Sequence, residues 1–286
     1  MLKFKTIGLV TRLNDLKVSD TLNDVHARLE ALDCDVQLDH STRGLIGGLK
    51  TVGLEDIAQK CDLCIVIGGD GTLLHTARAL ADSNVPIVGI NRGRLGFLVD
   101  VAPDSDLAIL DDILAGNFYD EERSLLDIDV RRNGEVIHSA VAFNDIVLRV
   151  KDLLKIVEFK IYIDGSFVNV QRADGVIVST PSGSTAYSLS NGGPIVTPTV
   201  DVILMQPICP HTLSSRPLII DGNSDVEIRI SDEGIDNGQL VSDGQVYFDI
   251  VSDDVIHVKK HSKRVRLLHP QNYNYYNILR AKLNWT

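Results

Sequence analysis

The stretch Gly68-Gly69-Asp70-Gly71-Thr72 constrains this chain more than any other. It follows an apolar, β-branched run, Ile65-Val66-Ile67, and opens a helical pattern with Leu73, Ala77, Leu80 and Ala81 on one face. The pattern predicts a strand, a glycine turn and a helix start. Glycines at such a turn admit a ligand's phosphates to the backbone, and the amides of a helix N-terminus point toward bound anions. Asp70 sets a carboxylate inside that anion cradle, which suits holding a metal or receiving a proton. That tension points to phosphoryl transfer to a hydroxyl. Taken alone, the stretch also reads, with less weight, as a plain glycine turn. It lacks the Gly-Lys-Ser/Thr of a P-loop and the Gly-x-Gly-x-x-Gly spacing of the dinucleotide fingerprint. Phosphate charge then falls to amides, a metal ion and side chains such as His75, which on a first helical turn also reads as a surface residue.

Around this turn the first ~120 residues alternate strand and helix patterns, the mark of an α/β layer with parallel strands. Strands are expected at Lys5 to Val10, Asp35 to Leu38, the run into Gly68, and Val85 to Ile90. Helices are expected at Ser19 to Leu32, Leu54 to Cys61, and Pro103 to Ala115, the last capped near Asp104 and closed by Gly116. Gly44 to Gly53 reads as a mobile glycine-rich loop. From Leu125 the apolar period changes to two, with an Asn133-Gly134 hairpin signal and a run of short strands ending at Val265 to Leu268. One helix is expected after Pro181-Ser182-Gly183-Ser184. The fold class is therefore α/β: a Rossmann-like α/β domain over 1–122 followed by a β-rich, sandwich-like domain over 123–270. An aromatic, amphipathic tail over 271–286 is expected to pack back on the first domain or on a neighbouring subunit.

A net charge of −11 argues against a nucleic-acid partner held through its phosphates. A small anionic substrate is compatible with it, because a few local groups set the field of one cleft. No apolar run approaches the ~20 residues of a membrane span, and Met1 to Lys5 lead straight into a strand, so neither membrane nor signal peptide is expected. Cys61-x-x-Cys64 could be half of a redox or zinc motif, yet no second pair follows, and reduced core cysteines in a cytoplasmic protein are the expectation.

Two further stretches carry chemistry. Asn144 and Asp145 lie side by side in an apolar strand, where burying both is costly unless they are paired. Together they suit a ribose diol, or else a strand-end cap. In Arg172-Ala173-Asp174-Gly175-Val176-Ile177-Val178-Ser179-Thr180-Pro181-Ser182-Gly183-Ser184-Thr185-Ala186-Tyr187-Ser188, a buried strand runs into a hydroxyl-rich turn and a helix, a second candidate anion site. Arg172 and Asp174, two apart, would share a strand face. Asn191-Gly192-Gly193-Pro194 would stop the helix.

With these stretches together, the sequence closely resembles the bacterial NAD kinases over nearly its whole length. Diacylglycerol, sphingosine and phosphofructokinase-type kinases share the first motif but lack the Thr185-Ala186-Tyr187 stretch and the Asn144-Asp145 pair. Two departures are conservative: Asp145 where the family usually has Glu, and Ser182 where it has Thr. The resemblance implies that Asp70 is the catalytic base for the adenosine 2′-hydroxyl, with Gly71 shaping the loop. It implies that Asn144 and Asp145 hold that ribose, Asp174 sits near the nicotinamide half and Arg172 near a phosphate. Thr185, Ala186, Tyr187, Ser188, Leu189 and Ser190 would frame the adenine side, and Lys155 and Gln245 are further contacts. ATP as phosphoryl donor, a divalent cation (Mg²⁺) whose ligands the sequence does not identify, and a homodimer or homotetramer are also implied. The rivals are a lipid or sugar kinase built on the same turn, and a sensor that binds NAD without turnover.

Overall fold

Continuous apolar runs joined by amphipathic helices build the first part of the chain, and two-residue alternation builds the second. The computed structural model describes residues 2–12, 18–47, 49–91, 93, 95–101, 108–151, 157–230 and 238–285. The first part contains β1 (Thr6–Thr11), α1 (Ser19–Ala31), β2 (Asp35–Asp39), β3 (Thr51–Val52), α2 (Leu54–Lys60), β4 (Leu63–Ile67), α3 (Asp70–Ala79), β5 (Ile87–Ile90), α4 (Ala108–Ala115) and β6 (Phe118–Arg123). Then follow β7 (Leu126–Arg132), β8 (Glu135–Ala142), β9 (Asp145–Val150), β10 (Val157–Ile163), β11 (Ser166–Ala173), β12 (Gly175–Ser179) and the one-turn α5 (Tyr187–Ser190). The chain continues with β13 (Val202–Ile208), β14 (Leu218–Asp221), β15 (Val226–Ile230), β16 (Gly238–Ser242), β17 (Val246–Ile250) and β18 (Val255–Lys260). It ends with β19 (Val265–Pro270) and α6 (Tyr275–Leu283). Two compact units result, Met1–Glu122 with Val265–Thr286, and Arg123–Arg264.

The first unit is built on one sheet of order β3-β2-β1-β4-β5-β19-β6. Its pairs from β3 through β19 are parallel. Every residue of β4 is buried, which is why that strand reads as an unbroken apolar run. Leu22, Val25 and Leu29 of α1 pack with Ile7, Leu9 and Ile65 of the sheet. Strand order reverses between β1 and β4, so the carboxyl end of β4 is where an open α/β sheet receives a ligand. That end runs into Gly68.

Several expectations need correction here. Residues 265–270, assigned by sequence to the β-rich half, form β19, which pairs in parallel with β5 through Leu267 and Ile87. His269 of β19 fixes this arrangement: its Nδ1 lies 2.9 Å from Asp100 Oδ2 and its Nε2 lies 3.3 Å from Glu121 Oε2. Tyr273 stacks on the His269 ring at 3.9 Å. The tail then packs on this unit, with Ile278 and Leu279 of α6 buried. The stretch expected as one loop, Gly44 to Gly53, contains β3 beside β2. Helix α4 is described from Ala108 and is closed by Gly116 at φ +98°. The expected start at Pro103 and Asp104 lies outside the described residues.

The second unit holds two antiparallel six-stranded sheets, β11-β10-β15-β18-β7-β8 and β14-β13-β12-β9-β16-β17. Inward residues of both, among them Ile128, Phe159 and Ile228 from one and Ile146, Val178 and Met205 from the other, form one core, so the unit is a β-sandwich. Asn133 and Gly134 carry φ +53° and +84°, the two left-handed residues of the expected tight hairpin.

Cys61 and Cys64 are buried and free, and burial pushes the Cys61 thiol up to about 12 and the Cys64 thiol well above its ordinary range. They are core residues. Among the described residues no helix is long and apolar enough to cross a membrane.

Candidate active site

In the first unit, α3 begins at Asp70 with Gly69 in extended conformation as its N-cap. A Cβ at Gly69 would meet nothing within 4 Å, so the turn leaves open space beside this residue. The Asp70 carboxylate is held by the main chain of the segment that follows β5. Oδ2 accepts the Phe97 amide at 2.9 Å, and Oδ1 accepts the Leu98 and Val99 amides at 3.1 and 3.2 Å. The segment wraps this closely only because residue 96 is glycine, where a Cβ would fall 2.0 Å from Asp70 Oδ1. A carboxylate offers about four acceptor positions. The one left over belongs to Oδ2. Gly71 and His75 are exposed on the first turns of α3.

In the second unit, a cavity of about 300 Å³ is lined by Asn144, Asp145, Arg149, Ala186, Tyr187 and Asp243, among others. That is at the small end of ligand-sized sites. The main chain at Asn144 is locked from two directions. Thr180 donates its amide to the Asn144 carbonyl at 2.9 Å and its hydroxyl to the Phe143 carbonyl at 2.7 Å. From the other side, Asp243 accepts the amides of Phe143 at 2.9 Å, Asn144 at 2.7 Å and Asp145 at 3.2 Å. The Asp243 amide returns a bond to the Asp145 carbonyl at 2.9 Å. Gly183 completes the lock: a Cβ there would lie 2.1 Å from the Asn144 carbonyl oxygen.

Asp145 itself is only 4% exposed. Burial, reinforced by the charge of Asp243 and opposed by the Tyr187 amide, pushes its carboxyl up from the ordinary 3.8 to about 7. The folded protein thus binds this proton more tightly than the unfolded chain. Its contribution to stability is full below about pH 4 and is lost as pH rises through about 7, a loss on the order of a few kcal/mol. Asp145→Asn removes the loss. Its melting temperature relative to wild type is expected to rise between pH 5 and pH 8.5, and a pH-independent difference measured by calorimetry would contradict the burial account.

The structure brings Asn144, Asp145, Ala186 and Tyr187 to one cavity. Thr185 and Leu189 are half-buried and Ser190 exposed on the same short turns, while Ser188 points inward and bonds Gln206 Oε1 at 3.0 Å. The expected helix after Pro181 is not one element. A 3₁₀ turn over Ser182–Thr185 and the four-residue α5 meet at Ala186, whose ψ of −126° breaks any continuous helix. The second anion-binding helix start is therefore not formed. The hydroxyls that suggested it serve carbonyls instead, such as Ser184 Oγ on the Pro181 carbonyl at 2.6 Å. Arg172 is exposed on β11 opposite Glu158, and Asp174 is exposed one residue past the end of that strand. His211 Nε2 is 4.0 Å from Asp174 Oδ1. Neither Arg172 nor Asp174 lines the cavity. Gln245 is exposed in the turn that carries Asp243. Lys155 lies outside the described residues. Among the described residues no group of three or more His, Cys, Asp or Glu is placed to hold a metal ion. Sequence reasoning missed Asp243. The hairpin pair Asp243-Gly244 between two apolar runs announces a turn, but its partners are 98 to 100 residues away.

Two family models match the chain, the ATP-NAD kinase N-terminal domain over residues 7–118 and the ATP-NAD kinase C-terminal domain over 143–269. The NAD kinase of Hahella chejuensis is 43% identical over 288 residues, covering 100% of this chain and 97% of the relative. The NAD kinase of Pseudomonas savastanoi pv. phaseolicola is 44% identical over 287 residues with the same coverages. Among solved structures, yeast NADH kinase complexed with NADH superposes with a TM-score of 0.90 at 26% identity, covering 99% of this chain and 88% of that one. An Archaeoglobus fulgidus NAD kinase in complex with ATP shares the fold, with a TM-score of 0.76 at 23% identity over 98% of each chain. By its sequence along its whole length, and by a fold that carries the glycine turn and the locked Asn144–Asp145 pair, the chain belongs to the NAD kinase family.

Proposed function

We propose that this chain transfers the γ-phosphate of ATP to the 2′-hydroxyl of the adenosine ribose of NAD, giving NADP and ADP. The observation that supports it most is the Asn144–Asp145 pair: its main chain is fixed by Thr180 and Asp243, and its side chains border a cavity. An amide beside a carboxyl matches the donors and acceptors of a ribose diol. Ala186 and Tyr187 border the same cavity and are assigned to the adenine side, with Thr185, Ser188, Leu189 and Ser190 supporting them. Arg172, Asp174, Lys155 and Gln245 are assigned to the remainder of the dinucleotide.

Asp70 is assigned as the base. In phosphoryl transfer the protein mainly positions groups and balances charge. Three amides hold the Asp70 carboxylate, so it needs no reorientation as the reaction proceeds, and Oδ2 keeps a lone pair for the hydroxyl proton. Gly71 and His75 flank the phosphates in this reading. The divalent cation is read as part of the substrate, carried on the phosphates of ATP, since Mg²⁺ binds mainly to phosphate oxygens and water.

A cytoplasmic enzyme is the matching setting, supported by four free cysteines. Assembly as a homodimer or homotetramer is supported by exposed Phe167 and Val170 on the edge strand β11 and by Leu218 and Ile219 on the edge strand β14. The test incubates the protein with ATP, Mg²⁺ and NAD and detects NADP with an NADP-specific dehydrogenase. ATP-dependent NADP formation is expected. NAD binding without NADP formation would favour a sensor, and phosphorylation of a lipid or sugar alone would favour the rival kinases.

A further inference from the structure

We propose that Asp243 is the positioning residue of this site, holding Asn144 and Asp145 at the cavity wall through the main chain and setting, through its charge, how Asp145 distinguishes a ribose hydroxyl from a ribose phosphate. The inference rests on the assignment of the Asn144–Asp145 cavity to the adenosine ribose.

Two observations carry it. The first is geometric. Both carboxylate oxygens of Asp243 are engaged by three consecutive amides, Phe143 to Asp145, and the bond from the Asp243 amide to the Asp145 carbonyl closes a ring between β9 and the β16–β17 turn. Asp243 sits at φ +50° and Gly244 at +65°. Asn or Gly would serve that turn at least as well. Neither could offer two acceptor oxygens to three donors.

The second is electrostatic. A carboxylate beside the buried carboxyl of Asp145 is unfavourable, so a neutral side chain would be preferred if the turn were only a turn. Three main-chain donors serve Asp243, whereas burial and the charge of Asp243 push the Asp145 carboxyl up to about 7 against the opposing Tyr187 amide. The other titratable groups lining the cavity are Arg149 from the same strand, Tyr187 from α5 and Tyr247 from β17. Near neutral pH, Asp145 passes between an acid that can donate to a phosphate oxygen and a carboxylate that accepts from a hydroxyl and repels phosphate. Preference for NAD over NADP should therefore grow as pH rises.

The experiment measures dissociation constants of NAD and NADP by calorimetry from pH 6 to 8.5 for the wild-type protein and three variants. The 2′-phosphate titrates on its own near pH 6, but identically for every protein. In wild type the ratio of the NADP to the NAD constant is expected to climb about tenfold across the range. Asp243→Asn keeps one acceptor and removes the charge, so the climb should move about one pH unit toward acid. Asp243→Ala removes both functions and should weaken NAD binding about tenfold or more at every pH, with Asp243→Asn intermediate. An unshifted curve in Asp243→Asn, or wild-type NAD affinity in Asp243→Ala, overturns the proposal. If Asp243→Ala does not fold, the Asp243→Asn curve decides alone. Asp145→Asn separates the two levels: a wild-type curve there means the cavity does not hold the ribose and the functional assignment fails with it. An altered Asp145→Asn curve with silent Asp243 variants removes Asp243 only.

Discussion

Asp70→Asn is expected to lower turnover by about 10²- to 10⁴-fold while NAD still binds. A carboxamide cannot receive the ribose proton. It also presents an N–H₂ group where two carboxylate oxygens now meet the amides of Phe97, Leu98 and Val99. One of those donors must lose its partner, which costs about 1–3 kcal/mol of stability. The variant should therefore melt lower than wild type as well as turn over slowly. Steady-state kinetics with ATP and NAD, together with calorimetric NAD binding and a thermal melt, separate the two effects. Near-normal kcat with a lowered melting temperature would leave Asp70 as an anchor for residues 97–99 and not as the base.

Gly183→Ala is the second large effect. The added Cβ would lie 2.1 Å from the Asn144 carbonyl oxygen, 2.4 Å from its carbon and 2.5 Å from Ser179 Oγ. Two of these atoms are main chain and cannot rotate away. Overpacking of this kind costs about 1–3 kcal/mol, and more when backbone must move. Relief of the clash requires moving Asn144 away from the Thr180 amide or from Asp243. Loss of stability and loss of NAD affinity should therefore appear together. An Ala variant that melts and binds like wild type would show that the turn yields freely and that the lock on Asn144 has no function.

The parts legible in the sequence were those whose cause is local. Ile65 to Gly71 declares a strand, a turn and a helix because β-branched residues, glycines and a helical stripe follow one another. Asn133-Gly134 declares a hairpin because both residues accept left-handed backbone. The alternation after Leu125 declares sandwich strands. What escaped was decided by distant partners. Val265 to Pro270 alternates like its neighbours, and nothing in six residues says that they join β5, some 180 positions earlier, as a parallel strand. Strands β6 and β16 were not foreseen; β6 carries Tyr119, Asp120, Glu121 and Glu122, and its acids meet partners such as Arg266 and His269 of β19. The Thr180 to Thr185 segment has the composition of a helix start, but its hydroxyls turn back to carbonyls, a competition that sequence alone does not settle. Asp243 escaped altogether, because the amides it accepts, Phe143 to Asp145, lie 98 to 100 residues away.

The most direct test is a crystal structure of the protein with NAD and a non-hydrolysable ATP analogue, which cannot donate its terminal phosphoryl group and so keeps the dinucleotide intact. The expected density places the adenosine ribose on Asn144 and Asp145, with its 2′-oxygen within hydrogen-bond reach, about 3 Å, of residue 70. Density for the adenosine ribose outside that cavity, with its 2′-oxygen beyond reach of residue 70, would contradict it.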